Sequence, residues 1–207
     1  REREDADECR IPMNATLGFS RDGGSLTLLV TPSEPSCMTQ TADAIAVVSM
    51  PGLAETRRVD IAWSEDADLE YERAMKRGWH AIRVASKDLV PARNLIATRD
   101  EAEGGIRMYW PRATLGPPYD GWRVLASART GVIKVRPRGA KDPIEIGTLA
   151  GGTYPSVDEV VLSPNERWLV LTISWHDGDH CGSTRVKRAA FPWPPRAVAP
   201  AAPDAGP

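Results

Sequence analysis

Val160 to Ile173 reads VVLSPNERWLVLTI: a strand, a tight polar turn and a second, more apolar strand. The same pattern stands near the other end of the chain as Leu17 to Val30, LGFSRDGGSLTLLV. Laid together without a gap, Phe19 falls on Leu162, Ser20 on Ser163 and Asp22 on Asn165, and further along Leu26 falls on Leu169, Leu28 on Leu171 and Val30 on Ile173. Apolar strands on either side of Ser, Asp, Asn and Gly are what an antiparallel hairpin requires, because those residues tolerate the turn. The echo predicts two equivalent hairpins within repeat units at 17–52 and 160–195.

Working outward, Ala44 to Met50 continues the first unit as a strand stopped by Pro51-Gly52, and Arg185 to Phe191 mirrors it in the second. Arg57 to Trp63 reads as a further strand. Leu95 to Thr98 and Ile106 to Trp110 read as a strand pair, and Pro111 to Gly121 as a Pro/Gly loop. Trp122 to Ala126 with Val132 to Arg136 is another hairpin, followed by Ile144 to Leu149. One helix is expected at 66–77, with acids at its start, Lys76 and Arg77 in its last turn, Gly78 just beyond it, and a strand at His80 to Ala85. The fold class is therefore mainly β: antiparallel hairpins in a propeller-like or sandwich-like arrangement with one α-helix. Residues 1–10 form a charged lead-in, 11–193 a single domain and 194–207 a Pro/Ala-rich tail.

Composition limits the partners. The 207 residues carry 42% hydrophobic and 26% charged side chains, the usual mix for a globular protein. A net charge of -2 gives no reason to expect nucleic acid or an anionic membrane as partner, since those want a basic field. No apolar run reaches the roughly 20 residues of a membrane span. The chain opens Arg1-Glu2-Arg3 without Met, which fits a removed leader or a trimmed boundary. Many Trp, Pro and Arg with little Lys point to a GC-rich bacterial source.

Phe19-Ser20-Arg21-Asp22-Gly23-Gly24 and Leu162-Ser163-Pro164-Asn165-Glu166-Arg167 resemble the F-S-P-D-G-x turn of TolB-type β-propeller repeats. The second departs from that pattern, with Asn165-Glu166 where Asp-Gly is usual. In layout the chain also resembles small bacterial predicted secreted proteins of unknown function, which open on an LGFS-x-DG hairpin and place a charged helix after the first sheet segment. That resemblance implies a periplasmic or extracellular address and assigns no activity.

Three groups of residues are candidates for chemistry or binding. Cys37 and Cys181 fall one position apart in the repeat register, each after the second hairpin strand. If the hairpins lie side by side, a Cys37–Cys181 disulfide would close a very long loop and contribute about 3–5 kcal/mol. Cys9 is a rival partner, and three reduced thiols are the alternative. His176, Asp177, Asp179 and His180 gather imidazole and carboxylate ligands beside Cys181, which reads either as a solvated polar loop or as a zinc site. Trp175 and Trp193 stand outside the clearest strands and are the expected partner-binding aromatics, with burial at the core edge as the other reading.

There is no G-x-S-x-G, no Gly-Lys-Ser/Thr phosphate loop and no calcium loop in the sequence. The expected function is a non-enzymatic extracytoplasmic binding or accessory module, without cofactor, whose partner is another protein. The alternative is a metal-binding protein or metal-dependent enzyme using the 176–181 stretch.

Overall fold

The Ser20–Ser25 turn shows why the first hairpin closes where it does. The Ser20 hydroxyl donates to the Asp22 carboxylate (2.6 Å) and accepts from the Ser25 amide (2.9 Å), while Asp22 accepts from the Gly24 amide (3.0 Å). Gly23 takes φ +70°, a left-handed conformation open to a residue without a Cβ. The second copy repeats these contacts. Ser163 donates to the Asn165 side-chain oxygen (2.7 Å) and accepts from the Trp168 amide (3.0 Å), and the same Asn165 oxygen accepts from the Arg167 amide (3.1 Å). Glu166 stands in the place of Gly23 at φ +54°, a conformation that costs a residue with a Cβ about 1–2 kcal/mol. Asn serves as well as Asp here because the turn uses only the side-chain oxygen. Its amide nitrogen then does something Asp cannot: it donates to the Asp22 carbonyl (2.8 Å), so the two turns touch.

The computed structural model describes residues 15–30, 44–61, 69–100, 111–149, 155–176 and 184–195, with backbone alone at 69–72, 74, 75, 176 and 184. Among the described residues the chain is mainly β, with antiparallel sheets and one helix. Sheet 1 takes β1 (Thr16–Phe19), β2 (Ser25–Val30), β3 (Ala44–Ser49), β4 (Glu55–Asp60) and the short β5 (Val90–Pro91), in the order β4-β3-β2-β1-β5. Sheet 2 takes β6 (Ile96–Arg99), β7 (Arg112–Leu115), β8 (Arg123–Ala126), β9 (Val132–Arg136) and β10 (Ile144–Thr148), in the order β10-β9-β8-β7-β6. Sheet 3 is β11 (Ser156–Leu162), β12 (Trp168–His176) and β13 (Thr184–Pro192). The ungapped register extends into the third strand of each unit. Val48 opposes Leu26 as Phe191 opposes Leu169, and the cis bonds Met50–Pro51 and Trp193–Pro194 fall at equivalent places.

Sheet 3 comes last in the chain and lies in the middle of the fold. One face of β12 sends Leu169, Leu171 and Ile173 into a cluster with Leu115, Val124, Ile133 and Val135 of sheet 2. The other face sends Val170, beside Val161 of β11, against Phe19, Leu26, Leu28 and Val48 of sheet 1. Burial on both faces is why Trp168 to Ile173 is almost continuously apolar rather than alternating. The layers run helix, sheet 1, sheet 3, sheet 2.

One segment stitches the three sheets together. Val90 pairs with Phe19 in sheet 1, Asn94 bridges to Val161 in sheet 3 and Ile96 pairs with Leu115 in sheet 2. Asn94 holds the crossing: its side-chain oxygen accepts from the Val160 (3.2 Å) and Ile96 (3.1 Å) amides. At the sheet 1 end, Gly18 makes the approach possible, since a Cβ there would stand 2.6 Å from the Val90 carbonyl oxygen.

The helix, α1 (Leu69–Ser86), ends later than the expected 66–77, and residues 66–68 lie outside the described residues. Gly78 is a buried residue within it rather than its cap, and His80 to Ala85 is helix rather than strand. The physical reason is an ambiguity of period. Ile82-Arg83-Val84 alternates and carries two β-branched residues, yet Trp79, Ile82 and Ala85 recur every three residues, and with Ala81 they pack on Leu29, Ile45 and Ile61 of sheet 1. That apolar face decides the matter. Two other expectations also change. The partner of β6 is Arg112–Leu115, within the stretch read as a Pro/Gly loop, and β4 begins at Glu55 rather than Arg57. Ile106 to Trp110 lies outside the described residues.

Candidate functional site

Three places in the fold gather polar or aromatic side chains that packing alone does not require. The first is the seam between the repeated hairpins. Glu159 on β11 and Thr172 on β12 are cross-strand partners, and Thr172 in turn opposes Arg188 on β13, so the three share the face turned toward sheet 1. Across the seam, the Thr16 amide (3.3 Å) and hydroxyl donate to the two Glu159 carboxylate oxygens, and the Thr172 hydroxyl (3.3 Å) joins them. Thr16 and Glu159 are themselves equivalent positions of the two units, as are Asp22 and Asn165. Burial lowers the Arg188 pKa from its ordinary value, opposed by the neighbouring Glu159 and Asp158 carboxylates, which favour the charged guanidinium. This network locks sheet 1 to sheet 3.

The second is an aromatic knot at one end of the core. Tyr119 meets Trp193 at 5.0 Å and Trp122 at 5.4 Å, both edge to face, and the Trp122 and Trp193 rings lie tilted at 5.5 Å. The Trp193 indole N–H donates to the Tyr119 hydroxyl (2.6 Å).

The third is the outer face of sheet 2. With Ala113, Leu115, Val124, Ala126, Ile133 and Val135 buried against sheet 3, the alternate positions point away from the core. They place Arg123 directly opposite Arg136, and Arg112 opposite Leu125, which opposes Lys134. Asp100 meets Arg123 (3.4 Å) and accepts from the Thr114 hydroxyl (2.9 Å). Arginines facing each other across a ladder cost the sheet some stability, offset in part by Asp100 at Arg123, while Lys134 has Glu145 opposite it on β10, so Arg136 and Arg112 are the cations of this face without an opposed carboxylate in the ladder.

The residues singled out by sequence are distributed differently. Trp175 and Trp193 are both buried, at 7% and 5% exposure, so the exposed rings expected of partner anchors are corrected to core residues. The indole's large apolar area gains more against sheet 2 than in water. The Trp175 ring also lies beneath the Lys187 ammonium, 5.7 Å from its centroid. His176 closes β12 opposite Thr184 by its backbone, while Asp177, Asp179 and His180 lie outside the described residues, as do Cys9, Cys37 and Cys181. Among the described residues no three His, Cys, Asp or Glu side chains gather in a metal-binding group.

On β13 Arg185 and Lys187 are exposed, while Arg188 turns toward the seam. No sequence motif singles out Glu159 or Asn94. The available signal was a charged side chain inside a strand whose neighbours Val157, Val160 and Val161 are wholly apolar. Compared with protein-family models, curated proteins and solved structures, the chain matches none.

Proposed function

We propose that the protein is a non-enzymatic binding or accessory module acting in the periplasm or outside the cell of a bacterium, a subunit of an envelope or extracellular assembly, and that it holds an acidic partner protein on the outer face of sheet 2. The supporting observation is the opposed pair Arg123 and Arg136, flanked by Lys134 and Arg112 on one sheet face. An acidic surface laid across that face offsets the repulsion with charge-assisted hydrogen bonds, for which the arginine fork is well shaped. The extracytoplasmic setting is supported by the resemblance of the opening hairpin and layout to small secreted proteins.

The test compares wild type with the Arg123→Glu, Arg136→Glu double variant by chemical cross-linking in the source cells. The expected result is one discrete cross-linked species containing a second protein, lost in the variant while its circular dichroism stays unchanged. A wild-type chain that cross-links to nothing, or that purifies with stoichiometric zinc and loses it on His176→Ala with His180→Ala, overturns the reading.

A further inference from the structure

Helix α1 covers one face of sheet 1 and forms the outermost layer of the stack on the side away from sheet 2. Its inward face is apolar and its outward face is cationic. Arg73, Lys76, Arg77, Arg83 and Lys87, the last just past the helix, are all exposed. At 100° per residue these five fall within about 120° of arc, together with His80 and Val84, and span roughly 21 Å along the axis. Between Arg73 and Lys87 the sequence contains no Asp or Glu. The protein's net charge of -2 therefore conceals a continuous basic ridge.

Two further observations concern the shape and chemistry of the partner. The ridge is convex, the outer surface of a helix laid on a sheet. The large apolar side chains exposed among the described residues are Val84 (61%), on the helix, and Val59 (41%), on the neighbouring sheet 1. Val84 sits within the cationic arc. Val59 opposes Ile45 in the β3–β4 pair and so lies on the helix-covered face of sheet 1, with Arg57 two residues before it on the same face. A broad convex surface of cations with isolated valines suits a flat, deformable anionic interface that accepts both charge and a little apolar surface. Single-stranded nucleic acid would be expected to meet Phe, Tyr or Trp stacking platforms as well, and the arc has none of these.

We infer that the outer face of α1 is a peripheral docking surface for an anionic phospholipid bilayer. Binding is electrostatic, since the helix's apolar face is already committed to sheet 1. This surface and the sheet 2 face lie at opposite ends of the layer stack, so the chain can rest on a membrane while leaving sheet 2 free. The inference does not depend on the sheet 2 reading.

The test is co-sedimentation of the full chain with vesicles of phosphatidylethanolamine, with and without phosphatidylglycerol. Wild type is expected to bind only vesicles containing phosphatidylglycerol and to be released as salt approaches 1 M, where the screening length shrinks to about 3 Å. The Lys76→Gln, Arg77→Gln, Arg83→Gln variant replaces exposed residues with a good helix former. It should keep the wild-type circular dichroism and bind about a hundredfold more weakly, at about fivefold per charge removed. Equal binding by the triple variant, failure of wild type to bind at low salt, or binding to polyglutamate or duplex DNA without binding to vesicles would each overturn the inference.

Discussion

Trp193→Ala is expected to destabilise the fold by about 3–5 kcal/mol, a large share of the 5–15 kcal/mol that ordinarily separates folded from unfolded domains. The indole is buried beside Tyr119 and Trp122 and packs on the sheet 2–sheet 3 core. Its removal leaves a cavity at the end of the core and takes from the Tyr119 hydroxyl the N–H that donates to it. Trp193→Phe separates the two contributions. It keeps most of the ring contact and loses the hydrogen bond, for an expected cost of about 1 kcal/mol from that bond. Both are read by chemical denaturation. A Trp193→Ala protein of unchanged stability would return the residue to its expected role as an exposed partner anchor.

Glu159→Leu is expected to cost about 3 kcal/mol. The change removes the acceptor for the Thr16 amide and hydroxyl and the Thr172 hydroxyl, and takes away a carboxylate that favours the Arg188 charge. Replacing both charged partners with apolar side chains of similar size should recover part of the loss, so Glu159→Leu with Arg188→Met should be more stable than Glu159→Leu alone. A double variant less stable than the single one would mean that Arg188 is held by something other than this seam.

The hairpins were readable because the signal for a turn is local. Ser20, Asp22 and Gly23 fix the first turn through contacts spanning a few residues, and Ser163 and Asn165 fix the second in the same way. The strand-length runs from Ser25 to Val30 and from Trp168 to Ile173 left little choice of element. The end of the helix was not readable, because Ile82-Arg83-Val84 reads as a strand until sheet 1 supplies an apolar face for Trp79, Ile82 and Ala85 to cover. That mistake had a consequence for function. Taken as a strand, residues 80–85 send Arg83 away from Lys76 and Arg77, whereas one continuous helix aligns all three.

Net charge hides the basic ridge for a related reason. It averages over the chain and carries no record of the charge on one face. The seam was out of reach for a different reason. Thr16 and Glu159 meet only because sheet 3 inserts between sheets 1 and 2, and pairings at that sequence distance leave no local trace.

That insertion can be measured directly by methyl NOE spectroscopy on β12. Sheet 3 in the middle of the stack predicts contacts from the Val170 methyls to Leu26 or Leu28 of sheet 1, and from the Leu171 and Ile173 methyls to Val124 or Ile133 of sheet 2. Both sets in one sample would establish the layer order. Contacts from only one face of β12, or direct contacts between Leu28 and Val124, would contradict it.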